Sequence, residues 1–310
     1  MGQRSRIEWT EATWNPIVGC SIVSPGCTHC YAMRMAARIE AMARAGRLDD
    51  EGDVVRGAKR LAHYDGLTKT VKKKAVWTGK VALAPEHILL KPLRRRKPTM
   101  WFVNSMSDLF HEDLPDEWID RVFAVMALCP QHTFQVLTKR SKRMRDYLTT
   151  VAHEPHRNTV RRFAGAFSTL RTPLPKDFNV PLPNVWLGVS AERQQEADER
   201  IPDLLATPAA VRFVSAEPLL GALDLTPWLT GVLDWVIVGG ESGPGARPMH
   251  PDWVRSIRDQ CVSAGVAFFF KQWGAPLNGH GDPSQVGAAG RLLDDREWNE
   301  MPRPTAEAGP

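Results

Sequence analysis

From residue 100 onward the chain repeats one theme: a short β-rich apolar run ends at small or polar residues, and an amphipathic helical segment comes next. That alternation restricts the chain to parallel strands joined by crossover helices. The runs are Met100 to Asn104 (MWFVN), Thr133 to Leu137 (TFQVL), Val185 to Val189 (VWLGV), Val211 to Ser215 (VRFVS), Trp235 to Val238 (WVIV) and Val266 to Phe270 (VAFFF). Their near-continuous apolar character is that of strands buried on both faces. Helices are expected over 116–128, 141–151, 193–205 and 251–264. The last carries Pro251 and Asp252 in its first turn and Gly265 just past its end. An earlier strand before Cys20 and a helix from about Cys30 to Ala45 bring the count to about seven strands. The pattern predicts an α/β fold, an incomplete (βα)6-7 TIM-like barrel with insertions.

The 310 residues, 43% hydrophobic and 24% charged, have the composition of an ordinary folded protein. The barrel is expected to occupy residues 1–276, with two insertions. One, near 47–80, is charged and Gly-containing, with one short helix; the other, near 171–183 (RTPLPKDFNVPLP), is an extended connection. Residues 277–310, rich in Gly, Pro and Ala, read as an irregular C-terminal tail. No apolar run approaches the roughly 18 residues of a membrane span. The start, MGQRSRIEWTEATW, lacks the apolar core of a signal peptide, which leads us to expect a cytoplasmic protein.

The net charge is only +5, but the basic residues come in runs: Lys72 to Lys74, Arg94 to Lys97, Lys139 to Arg145 (KRSKRMR) and Arg161-Arg162. Any single run reads equally as a solvated face. Together they point to nucleic acid as substrate or partner.

Three of the five cysteines fall in one short segment, Cys20-SIVSPG-Cys27-TH-Cys30, whereas Cys129 and Cys261 lie in apolar helical contexts and read as core residues. A C-x2-C pair can curl both sulfurs around one metal, and a turn at Ser24-Pro25-Gly26 can bring a third thiolate back to join them. Two metals suit this set. A structural zinc site needs a fourth protein ligand, and none comes later at suitable spacing. A [4Fe–4S] cluster held by three cysteines leaves one iron open to bind a substrate or cofactor. Spacing favours the cluster and leaves zinc as an alternative.

The stretch TWNPIVGCSIVSPGCTHCYAMR resembles the cluster loop of radical S-adenosylmethionine enzymes, especially the branch like spore photoproduct lyase. It is more similar still to the three-cysteine-motif proteins frequent in bacteriophage genomes. The departure is the first gap, six residues here against three in most of the superfamily. The resemblance implies a [4Fe–4S] cluster on Cys20, Cys27 and Cys30, with S-adenosylmethionine as second cofactor. An external donor would supply the electron for cleavage to a 5′-deoxyadenosyl radical.

The resemblance extends to about Gly274. It implies that Ser107 and Asp108 hold the amino end of the cofactor, that Lys139 contacts its carboxylate, and that Ser190 and His29 lie beside it. Glu217 (SAEP) and Glu241 (GGES), at later strand ends, with Lys271 and Gln272 after the last strand, are expected to bind substrate. The glycines before Glu241 would permit close backbone approach to a ligand. The implied function is a radical enzyme acting on nucleic acid, in repair or base modification, with a separately encoded partner protein suggested by family context. The competing reading is a zinc-stabilised, non-enzymatic nucleic-acid-binding protein.

Overall fold

Seven apolar segments form one parallel sheet. In chain order they are β1 (Ala12–Trp14), β6 (Met100–Val103), β7 (Thr133–Thr138), β8 (Val185–Ser190), β9 (Val211–Ala216), β10 (Trp235–Gly239) and β11 (Ala267–Gln272). They lie side by side in that same order, β1-β6-β7-β8-β9-β10-β11. The structure is a computed structural model that describes residues 5, 7–45, 61–151, 156–168, 180–243, 245–274 and 290–302. The sheet curls into an open half-barrel whose end strands, β1 and β11, do not pair with each other. Four shorter strands lie between β1 and β6: β2 (Ile17–Val18), which pairs antiparallel with β5 (Ala82–Leu83), and the hairpin β3 (Thr68–Val71) and β4 (Lys74–Trp77).

The helices are α1 (Tyr31–Ala45), α2 (Glu86–Leu89), α3 (Asp116–Ala127), α4 (Ser141–Val151), α5 (His156–Ser168), α6 (Gln194–Leu205) and α7 (Pro251–Ala264). Their bounds reflect local chemistry. Helix α7, for example, has the His250 ring accepting the Asp252 amide at its start and Gly265 in the left-handed region (φ 68°) at its end. Helix α5 is not anticipated by the sequence reading. Val160, Phe163, Ala164 and Phe167 recur at helical spacing, and the helix packs against α3.

Both sheet faces are apolar, as continuous hydrophobic runs require. One face, with Val103, Val136, Leu187, Val214, Val236 and Phe270, packs under the helices. The concave face carries Phe102, Trp186, Phe213, Trp235 and Phe269, with Trp9 inserted among them. Trp9 meets Phe102 edge-on at 4.7 Å, and the buried Gln135 amide donates to its carbonyl at 3.1 Å. Gly188 is required here, because a Cβ would overlap the Phe213 ring. The interior of the half-barrel is therefore filled by these side chains.

Two sequence expectations change. Within the 47–80 insertion, residues 47–60 lie outside the described residues; the rest holds a short 3-10 helix, Ala62–Tyr64, and, unanticipated by the sequence, the β3–β4 hairpin over residues 68–77. The expected irregular tail over 277–310 is structured over 290–302. There β12 (Leu292–Leu293) and β13 (Arg296–Glu297) pair, Trp298 packs edge-on against Phe268 at 5.7 Å, and Asn299 bridges antiparallel to Phe269. An open half-barrel exposes the edge of β11, and this segment covers it. Residues 275–289 and 303–310, and 171–179 of the second insertion, lie outside the described residues. Among the described residues no helix is long and apolar enough to cross a membrane.

Candidate active site

The C-terminal ends of the seven parallel strands surround a cavity of about 240 Å³. This is where α/β barrels assemble ligand sites, because the loops after the strands converge there. Cys20, Cys27, His29 and Cys30 reach it from the loop after β2, and Ser107 and Asp108 from the loop after β6. Lys139 comes directly after β7, Ser190 ends β8, Glu217 comes after β9, Glu241 after β10, and Lys271 and Gln272 close β11. All twelve residues singled out from the sequence line this one cavity. Ile7, Trp9, Trp77, Phe102 and Leu137 supply its apolar wall.

The cysteine loop is fastened at several points. Ser107 donates its hydroxyl to the Gly19 carbonyl at 2.7 Å, and Gly19 donates its amide to the Met106 carbonyl at 3.1 Å. Pro25–Cys27 forms a single 3-10 turn. Glu192, fully buried just beyond β8, accepts hydrogen bonds from the Ser24 hydroxyl and, at 3.1 Å, from the Gly26 amide. Gly26 must be glycine, since a Cβ would press on the Glu192 carboxylate at 2.8 Å. Two cations neutralise Glu192, Lys139 and Arg200, each at 3.0 Å. Burial opposes its ionisation, but these cations and the Ser24 hydroxyl hold its carboxyl down at about 2.

A second carboxylate holds the other side of the loop. Glu241 accepts from the backbone and guanidinium of Arg247, and from His29 Nδ1 at 2.9 Å. Arg247 in turn donates to the Pro25 carbonyl at 2.9 Å. A six-residue gap between the first two cysteines is thereby folded into a fixed loop. Sequence reasoning assigns no role to Glu192, Arg140 or Arg247. The signal for Glu192 is its place at the end of β8, directly after Ser190-Ala191.

These bonds revise several expected roles. Asp108 is expected to hold an ammonium group, yet both its oxygens are occupied. One accepts from the Thr138 hydroxyl (2.6 Å) and the Phe110 amide (3.0 Å); the other from the Lys139 amide (3.0 Å) and Arg140 (3.1 Å). Four bonds fill a carboxylate's acceptor capacity. Lys139 is engaged by Glu192, and Lys271 pairs with Glu217 at 2.8 Å while Ser215 donates to the same carboxylate at 3.0 Å. Gly239 and Gly240 make room for the chain itself, against the Glu217 carboxylate and the Trp273 carbonyl, and Gly240 also lines the cavity. Among the described residues, the Ser190 and Ser242 hydroxyls, the Gln272 amide and Asn104 Nδ2 line the cavity without a hydrogen bond, the last of them buried.

The three thiols share the cavity. Cys27 Sγ lies 3.8 Å from the Ser24 hydroxyl, and Arg140 Nη1 lies 3.7 Å from Cys20 Sγ. Burial, then the Asp108 carboxylate, pushes the Cys20 thiol up to about 12 against the pull of Arg140; burial also raises Cys30. Metal binding would therefore release protons. Among the described residues no three His, Cys, Asp or Glu side chains already stand together as a ligand group, so the thiols would have to turn toward a shared metal. Their chemistry fits a thiophilic centre: three soft donors at one cavity, with Lys139 and Arg140 beside them to offset thiolate charge. Cys129 and Cys261 are fully buried in the core, as expected.

No curated protein and no solved structure matches this chain. Its residues 4–302 match the family described as protein of unknown function (DUF5131), and the chain belongs to that family.

Proposed function

We propose that the protein is a radical S-adenosylmethionine enzyme that carries a [4Fe–4S] cluster on Cys20, Cys27 and Cys30 and acts on nucleic acid. The family description assigns no activity, so the reading rests on the site. The observation that carries it is the gathering of three thiols, the His29 ring between them and eight polar strand-end residues around one cavity at the mouth of a parallel half-barrel. Bound there, the cluster would supply the electron that cleaves S-adenosylmethionine.

The chain's own contribution is positioning. Glu192 and Glu241 hold the cysteine loop, and Arg140 and Lys139 place positive charge beside the thiols. Ser190, Gln272 and Asn104 retain hydrogen-bonding groups for cofactor or substrate. The zinc alternative needs a fourth ligand: Asp108 is saturated and Glu217 is paired with Lys271, which leaves His29, whose Nδ1 is held by Glu241 and whose Nε2 is the donor a zinc ion would take.

Anaerobic reconstitution and then iron and sulfide analysis, coupled to detection of 5′-deoxyadenosine under dithionite, tests the reading. Iron at a cluster stoichiometry with cofactor cleavage supports it. Protein that takes up only zinc and releases no 5′-deoxyadenosine overturns it. The expected external electron donor and separately encoded partner would be sought by adding candidate proteins to the same assay.

A further inference from the structure

The four basic runs have different fates in the fold. Arg94 to Lys97 precede β6 and so lie at the strands' N-terminal end, away from the cavity, with Arg95 against the Trp101 ring. In the run 139–145, Lys139, Arg140, Arg143 and Arg145 are paired with Glu192, Asp108, Asp116 and Asp203 respectively, which leaves Lys142 as its one basic residue exposed and unpaired among the described residues. Arg161 and Arg162 sit on α5, an outer helix packed against α3. The remaining run lies on the β3–β4 hairpin, and there Lys69, Lys72, Lys73 and Lys74 are exposed and make no ion pair or side-chain hydrogen bond among the described residues.

We propose that this hairpin grips the phosphate backbone of a nucleic-acid strand whose reacting unit faces the cavity. The inference rests on the nucleic-acid part of the proposed function and is independent of which metal or cofactor the cavity holds. Three observations carry it.

The first is placement. The last residue of β4, Trp77, is buried and lines the cavity. The buried Glu40 of α1 accepts from the Gly66 amide and the Thr68 hydroxyl, both at 2.9 Å, and so fixes the hairpin's base. At about 3.3 Å per residue, the tip lies within roughly 13 Å of Trp77.

The second is facing. Thr68 pairs with Trp77, Lys69 with Val76, and Val71 with Lys74. Since side chains alternate, Lys69 and Lys74 share the face opposite the buried Trp77, and Lys72 and Lys73 form the tip.

The third is the turn itself. Lys72 (φ 47°) and Lys73 (φ 62°) both occupy the left-handed region, where a two-residue hairpin turn favours Asn-Gly. Two lysines there sacrifice local stability and place two ammonium groups at the extremity.

The chemistry of the hairpin selects the partner. Lysine is a compact charge suited to phosphate oxygens, and the hairpin has no arginine fork for bidentate recognition of carboxylates. Stable anchoring on an anionic membrane takes an apolar signal in addition to basic charge, whereas Val71 is the hairpin's one exposed large hydrophobic residue. Contacts of this kind hold a backbone without reading sequence.

The test measures fluorescence anisotropy of a labelled mixed-sequence single-stranded oligonucleotide against salt. It compares the full chain with a variant carrying Lys→Gln at Lys69, Lys72, Lys73 and Lys74. Each phosphate contact contributes about 0.7 to the log–log salt slope, so the variant should lose just under three of it. That equals a roughly fifty-fold smaller loss of affinity between about 50 and 200 mM salt. A second variant, Lys72→Asn with Lys73→Gly, should melt at a higher temperature than the parent and still bind more weakly, which separates binding from folding. Equal affinity and slope in parent and variants, or parent protein that binds phosphatidylserine vesicles and not the oligonucleotide, overturns the proposal. Hairpin-dependent binding by a protein that reconstitutes no iron would sustain this inference and sink the cluster reading. Iron uptake without oligonucleotide binding would do the reverse.

Discussion

The segments 139–145 and 69–74 are both rich in basic residues, and the fold puts them to opposite uses. In the first, four of the five basic residues, Lys139, Arg140, Arg143 and Arg145, each meet a carboxylate, and Lys139 and Arg140 help to build the wall of the cavity. In the second, four lysines project from a two-stranded ribbon and meet none among the described residues. Charge counted along a chain is thus not charge available to a partner. Availability depends on which carboxylates the neighbouring strand ends bring within reach, and the hairpin, which leaves the sheet, escapes them.

The comparison can be broken most forcefully at Glu192. Replacing it with Ala leaves Lys139 in the cavity wall and the buried Arg200 without their counter-ion, and should cost about 3–5 kcal/mol by chemical denaturation. Lys69→Gln on the hairpin should stay within about 0.5 kcal/mol. Equal effects at the two sites would mean that the buried cluster contributes nothing special.

The same carboxylate gives the paired segment a pH dependence. Its folded-state value, about 2, lies below the ordinary carboxylate value of 4.5, so its stabilisation is complete above about 4.5 and disappears as pH falls toward 2. Glu112 and Glu241, also lowered to about 2, lose stability in the same window. Unfolding measured at pH 5 and pH 3 should show a smaller decline for Glu192→Gln than for the parent.

A smaller effect of opposite sign is expected at the ribbon tip. Lys72→Asn with Lys73→Gly relieves two left-handed lysines and should add about 1 kcal/mol of stability. A loss would show that those lysines hold the fold together. The ion pair of Arg143 with Asp116 at 2.9 Å, partly solvated, should account for about 0.2–1 kcal/mol, isolated from the bond of Arg143 to the Leu114 carbonyl by a double-mutant cycle of Arg143→Ala with Asp116→Ala.

Much of this architecture is legible in the residues. Strands buried on both faces must be continuously apolar, so MWFVN, TFQVL, VWLGV, VRFVS, WVIV and VAFFF stand out, and the residues just after them form one cavity. Helix α5 is obscured because its sequence, HRNTVRRFAGAFS, is basic and contains Gly165, though Val160, Phe163, Ala164 and Phe167 keep helical spacing. The β3–β4 hairpin is obscured because Lys-Lys is not a turn signature. Residues 290–302 look irregular in isolation; only the open edge of β11 gives them something to pair with.

The sequence by itself determined the parallel α/β order, the three-thiol segment and the set of strand-end polar residues, because hydrophobic periodicity and ligand spacing are local properties. The tertiary structure alone decided the pairing. Glu192 reaches Gly26 and Ser24 across more than 160 residues of chain, Glu241 reaches His29 across more than 200, and Asp108 is filled by donors from β7 and the residues after it. Which charges are neutralised and which remain free depends on distance in space, and the order of residues does not encode that distance until the sheet has set its strands side by side.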